Sequence, residues 1–334
     1  MDEIVTAVPD GPIIDADRRL RALLAEGRLA LPLPGGGHTV DRLRGLSLLA
    51  ATEDVSVARL AEAHCDAVAI LAEGGHVLPA GMLAGVWASR YAGTGLTGRL
   101  SSAGWHLSGV LEFCSGASIV DVALVDVDVS GGESDAPRQL FAVDVRQTGA
   151  TTDLSRWRTP ALAATATGQV TVDLDVELDS AVGEPGFYLD RPGFWHGAIG
   201  VAACWAGAAR GVYDGVSEHV KVDNPHAAAH FGRAWTACWM LDAVIERCGR
   251  DIDERPDTVD IGYALTVRDL VVSGCHQVME SAQRATGPGP MAFDSDHAQR
   301  LADLRLYLEQ HHHDVDLAEI GRRRAAAATE RGTG

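Results

Sequence analysis

The stretch YLEQHHHDVD, residues 307–316, sets three histidines in a row, His311, His312 and His313, between Gln310 and Asp314. Imidazole titrates near neutral pH, so it can take or give a proton in a reaction, and it is a common metal ligand. Upstream, Leu301, Leu304 and Leu308 recur at helical spacing and form an apolar stripe. A helix continued through the run carries His311 or His312 onto that inward stripe and turns the others to the flanks. Consecutive residues on a helix do not face one another, and a ligand pair needs i, i+4 spacing. No metal site is therefore expected here. The other polar residues of the C-terminal region, His196, His226, His230, His276 and Arg268, read as caps or packing residues. Arg210, after a run of small residues, reads as a salt-bridge partner, and Trp195, Trp205, Trp235 and Trp239 as core.

The elements that must position such groups fall into three blocks. Residues 15 to about 83 carry helical periodicity, as in ADRRLRALLAEG and SVARLAEAHCDAVAILAEGG, with Gly74-Gly75 as a stop. Residues 85 to about 190 alternate apolar and polar with period two, in GWHLSGVLEFCSG, ALVDVDVS, QLFAVDV and GQVTVDLDVEL. Residues 194–330 are helical again, with NPH and GPGP as breaks. Segregated blocks mean an α+β fold rather than alternating α/β. The expected layout is an N-terminal helical domain (1–84), a middle β-barrel-like domain (85–192) and a C-terminal four-helix bundle (193–334). There is no GxGxxG after a strand, no GxxxxGK[ST], no GxSxG and no HExxH, which argues against dinucleotide-fold, P-loop, serine-hydrolase and zincin chemistry.

Charge narrows the partners. Over 334 residues, 46 Asp and Glu outweigh 28 Lys and Arg, for a net charge of −18. Such a surface repels nucleic acid and anionic lipid, so neither is an expected partner. Six scattered cysteines without a CxxC read as reduced thiols, which suits the cytoplasm. The first residues show no basic-then-apolar signal pattern, and no run is long enough to span a membrane.

The β block opens with GVWASRYAGTGLTGRLSSAGWHLSGVLEFCSGASIVDVALVDV. It resembles the middle domain of the acyl-CoA dehydrogenase family, where a TEP-A-G-S-D type strand end precedes G-x-x-L-x-G-x-K-x-[FW]-x-[ST]-x-[AG]. Trp105 to Gly109 match the first part of that second motif, and Phe113, Ser115 and Ala117 match the rest. The block order fits the family across most of the chain, shortened at the N-terminus. Three departures stand out. Ala88 replaces the usual threonine, Ser89-Arg90 replace Glu-Pro, and EHVKVDNPHAAAHFGRA lacks an intact R-x-x-F-G, leaving Lys221 or Arg233 as stand-ins.

The resemblance implies FAD, with its ring against Trp87, Ala88, Ser89, Phe113, Cys114 and Ser115 and with Thr94 at a small hydroxyl position. The departures leave FMN or no flavin as alternatives. Near the C-terminus, family members carry a catalytic glutamate eight residues after an aspartate. Here Asp303 takes the aspartate position and His311 the glutamate position, with Ala302 where the family has arginine and Glu309 on another helix face. The resemblance thus implies α,β-dehydrogenation of an acyl thioester or related small-molecule acyl substrate, with His311 as base, in a homodimer or homotetramer. Two alternatives stay open: a two-component flavin monooxygenase of the same fold, and a cofactor-free scaffold that binds a ligand or partner.

Overall fold

A computed structural model describes residues 11–89, 91, 93–131 and 136–332; Arg90, half of the Glu-Pro replacement, lies outside them. Contacts divide the chain into two compact units, Met1–Ala30 with Ala63–Asp190, and Leu31–Glu62 with Arg191–Gly334. The fold is mixed α+β, with an eight-stranded sheet in the first unit and the C-terminal helices in the second.

The first unit contains helix α1 (Gly11–Ala25), the C-terminal part of α3 (Val55–Glu73), strands β1 (Ala84–Trp87), β2 (Gly95–Ser101), β3 (Gly104–Cys114), β4 (Val122–Asp128), β5 (Gln139–Asp144), β6 (Ala150–Asp153), β7 (Gly168–Val176) and β8 (Ala181–Val182), and the short α4 (Phe187–Asp190). The strands run in the order β6-β7-β3-β2-β4-β5-β8, and β1 pairs in parallel with β4. Alternation along β7 decides its faces: Val170, Val172 and Leu174 are buried while Thr171, Asp173 and Asp175 are exposed. These side chains pack with Trp87, Leu107 and Phe141 in one core. On the other face, Ile70 and Leu71 of α3 lie against Val122, Leu124 and Leu140.

His64 of α3 joins the two layers. Its Nδ1 accepts from the Ala84 backbone N–H at 3.2 Å, and burial lowers its pKa to about 4. A neutral ring is what makes that acceptor. The unfolded chain protonates near pH 6.5, so stability is held above that value and lost as pH falls toward 4. On moving from pH 7 to pH 5, His64 costs the folded state on the order of 2 kcal/mol.

The second unit contains α2 (Thr39–Thr52), the N-terminal part of α3, α5 (Gly193–Val216), α6 (Pro225–Glu254), α7 (Ile261–Thr286), α8 (Gly289–Phe293), α9 (Ser295–Leu308) and α10 (Asp314–Gly332). Small residues of α5 let helices approach closely. A Cβ on Gly207 would sit 1.9 Å from the Ser47 carbonyl oxygen of α2. Starts are capped as the sequence dictates: Asn224 accepts from the N–H groups of His226 and Ala227, with Pro225 at the first turn, and Asp260 accepts from that of Tyr263. Arg300 donates to the carbonyls of Ala50 and Glu53 at 3.0 and 2.9 Å, closing the end of α2.

Two expectations need correction. Trp205 is fully buried, but Trp235 and Trp239 of α6 are 44% and 66% exposed. Trp235 instead lies under the Arg210 guanidinium, 5.0 Å from its ring centre, while Arg210 pairs with Asp214 and Asp242. The histidine run is also not helical. α9 stops at Leu308 and α10 starts at Asp314, with His313 at φ 41° between them. Asp314 and Asp316 supply an acidic first turn, and Asp316 Oδ2 accepts from the His312 N–H at 3.1 Å, which favours starting a new helix over continuing the old one.

Two measurements check these contacts. Gly207→Ala is expected to destabilise the protein by about 1–3 kcal/mol or more, read from denaturant unfolding, because the obstacle is backbone rather than a mobile side chain. His64→Gln is expected to flatten the loss of stability between pH 7 and pH 5 relative to the wild type.

Candidate functional site

The β-unit residues that resemble a flavin wall sit at an irregularity. The β3–β7 register shifts between Leu111 and Cys114, and Phe113 within it has φ 58°. A left-handed aromatic residue is strained backbone, and strain of this kind is retained where surrounding contacts enforce it. Here the facing segment is equally unusual: Leu162 and Ala166 have φ 53° and 46°. It is tied back by the N–H of Gly116 donating to Thr165 O and that of Ala117 to Ala166 O, at 2.8 and 3.1 Å.

The bulge turns Phe113 outward. It is 54% exposed and meets Tyr91 edge to face, with ring centres 5.5 Å apart. Cys114 turns inward and is fully buried, which pushes its thiol up to about 12. Ser115 is half-buried, and its Oγ accepts from Thr167 Oγ1 at 3.1 Å. Its own O–H is thereby left to donate to something else. Thr165 Oγ1 lies 2.7 Å from Thr167 Oγ1 and donates to Leu162 O at 2.6 Å. Thr165 and Thr167 escaped the sequence reading, although the TAT run before β7 is a visible pair of hydroxyls at alternate positions.

The earlier strand end behaves differently. Trp87 is 2% exposed and belongs to the sheet core, and its indole N–H donates to Ser115 O at 2.9 Å. It braces the Ser115 turn from behind. Ala88 is half-buried and Ser89 exposed. Thr94 turns its hydroxyl to the Tyr91 carbonyl at 2.9 Å.

His311 belongs to the helical unit. Its ring is 1% exposed, with Nδ1 3.0 Å from Asp316 Oδ2 of α10 and Nε2 3.4 Å from Asp269 Oδ1 of α7. Neither contact has hydrogen-bond alignment. Burial lowers the His311 pKa, Asp316 and Asp269 oppose that, and the Arg268 charge reinforces it. The His313 ring meets His311 edge on at 5.2 Å and faces Glu309 at 3.6 Å. Asp303 is buried and accepts from Gln299 at 2.6 Å. Asp316 stood in the sequence within the same ten residues as the run; Asp269 carried no local signal. Among the described residues no group of three His, Cys, Asp or Glu side chains is placed to hold a metal ion. Likewise, no helix there is long and apolar enough to cross a membrane.

No family model and no curated protein matches the sequence. Solved structures do match in shape. PigA with FAD and proline superposes with a TM-score of 0.77 at 13% identity, over 97% of this chain and 99% of that one. FkbI, for biosynthesis of the methoxymalonyl extender unit of Fk520, gives 0.77 at 13% identity over 94% and 95%. Methanesulfinate monooxygenase MsuC from Pseudomonas fluorescens gives 0.73 at 19% identity over 92% of each chain. The chain has the acyl-CoA dehydrogenase-like fold.

Within this fold, the end of β3 and the earlier strand divide by placement. Phe113 and Ser115 are presented, Cys114 is core, and Trp87 of the earlier strand is a brace. Of the stand-ins for the R-x-x-F-G arginine, Arg233 contacts His230 Nδ1 at 3.1 Å near the start of α6. Cys114 and the other five cysteines are all buried, and none forms a disulfide. A thiol reagent at pH 8 is therefore expected to find no fast-reacting cysteine in the folded protein and all six in denaturant.

Proposed function

We propose that this chain is a flavin-dependent oxidoreductase that holds FAD against the Phe113–Ser115 turn. The observation that carries this reading is the outward, strained Phe113 beside Tyr91, next to the half-buried Ser115 hydroxyl. A flat apolar ring with polar edge atoms needs such an aromatic face and such a short donor. PigA, of the same fold, is described with FAD. Ala88 and Ser89 extend the wall in this reading, and Trp87 and Cys114 support it from the core.

FAD held there would supply an acceptor for the hydride that leaves the substrate's β-carbon or, in its reduced form, the electrons for oxygen activation. In dehydrogenation of an acyl thioester, the α-proton goes to His311 Nε2. Asp316, 3.0 Å from Nδ1, is the nearer of the two carboxylates, and this reading assigns Nε2 as the acceptor. Asp269, whose side chain is 29% exposed, is the neighbour that must give way to substrate. The chain then works in the cytoplasm as a homodimer or homotetramer.

One observation favours the monooxygenase reading: His311 is enclosed, and a base for α-proton abstraction has to reach the substrate. A monooxygenase takes reduced flavin from a partner reductase and places one oxygen atom on the substrate and the other in water. MsuC is described as a monooxygenase.

Absorbance between roughly 350 and 500 nm tests flavin binding, with bands expected for the wild type with FAD and weaker retention in Phe113→Ala. A colourless protein that FAD does not saturate would sink both redox readings and leave the cofactor-free scaffold. Bleaching by an acyl-CoA without oxygen supports dehydrogenation, and His311→Gln should then slow it by about 10²–10⁴. Oxygen uptake with reduced flavin and a phenol, without such bleaching, supports the monooxygenase.

A further inference from the structure

The break between α9 and α10 creates a loop, 309–313, that must hold its shape without a helical ladder. The N–H groups of Glu309, Gln310 and His311 donate back to Leu306, Tyr307 and Leu308. The Gln310 carbonyl points onward and accepts from Arg268 Nη2 at 3.0 Å. The other arm of the same guanidinium, Nη1, donates to the Ala198 carbonyl of α5 at 3.0 Å. Its plane lies over the Trp205 indole, 4.4 Å from the ring centre, and Trp205 in turn meets Tyr307 of α9 edge on, with centres 6.0 Å apart. A planar fork stacked on an aromatic ring is a geometry that arginine supplies and lysine does not.

We propose that Arg268 is the positioning residue of the His311 loop, clamping the Gln310 carbonyl to that of Ala198 across the face of Trp205. The proposal rests on the reading of His311 as the proton-accepting group. Arg268 and Asp269 are consecutive on α7: one holds the carbonyl just before His311, and the other faces its ring. The charged and titratable groups around His311 are Arg268 and Asp269 from α7, Asp316 from α10, and His313 from the loop. Behind them stand Glu309 against His313 and His312, 3.8 Å from Asp316. Arg268 is the one permanent cation in that set, so it holds the imidazole toward its neutral form while it fixes the backbone.

The two contributions separate experimentally in the full-length protein. Arg268→Met removes both the clamp and the charge, and Arg268→Lys keeps the charge but loses the fork. Amide hydrogen exchange reads the clamp. In both variants, exchange within 309–313 is expected to accelerate about tenfold or more while 301–306 of α9 stays protected. Imidazole NMR, with the His311 signal assigned from its loss in His311→Gln, reads the charge. The His311 titration midpoint is expected to rise in Arg268→Met and to stay in place in Arg268→Lys. Unchanged exchange at 309–313 in both variants overturns the proposal, as does protection lost equally across α5, α7 and α9. A His311→Gln protein with wild-type turnover removes the base role instead and leaves the exchange result standing.

Discussion

A single buried oxygen, Oδ2 of Asp316, organises the end of the helical unit. It accepts the His312 backbone N–H and lies against His311 Nδ1, so one carboxylate both starts α10 and holds the imidazole. A carboxylate that is 8% exposed is costly unless its lone pairs are used, and here the His312 N–H uses one while the His311 ring lies against the same oxygen. The consequence is that the chain path and the surroundings of the imidazole are linked. The helix ends so that α10 can begin, and the histidine that turns inward is the one beside the break.

The β unit solves a related problem by other means. A regular β3 would carry Phe113 and Ser115 onto the core face of Leu107 and Leu111 and turn Cys114 away from it. The register shift at Leu111–Cys114, the left-handed Phe113 and the facing 162–167 segment together present an aromatic ring and a hydroxyl while Cys114 stays in the core. Trp87 and Thr167 hold the Ser115 turn from two sides, one at its carbonyl and one at its hydroxyl. Backbone strain is thereby kept by four hydrogen bonds, counting those of Gly116 and Ala117.

Much of the fold was legible because period-two and helical patterns are local. β7 reads as a strand from GQVTVDLDV alone, and α5 reads as a tightly packed helix from its Gly and Ala content. The candidate site was legible only in part. The motif residues Phe113, Ser115 and His311 stand out by type and spacing. Their partners do not, because Thr167 is 52 residues from Ser115 and Asp269 lies on α7, far along the chain from the His311 loop. Trp235 and Trp239 show the opposite failure: their type suggests core, yet the face of α6 they occupy points outward.

The sequence by itself determined the order of blocks, the faces of strands and the capped helix starts. Each of these depends on neighbours within a few residues, where propensity and periodicity act. Only the tertiary structure decided that the histidine run is a break rather than a helix, that Trp87 braces the Ser115 turn from the core, and that His311 sits between two carboxylates under the reach of Arg268. Those outcomes come from contacts among α5, α7, α9 and α10, or across the sheet. There burial and hydrogen-bond satisfaction outweigh the local preference of any single residue.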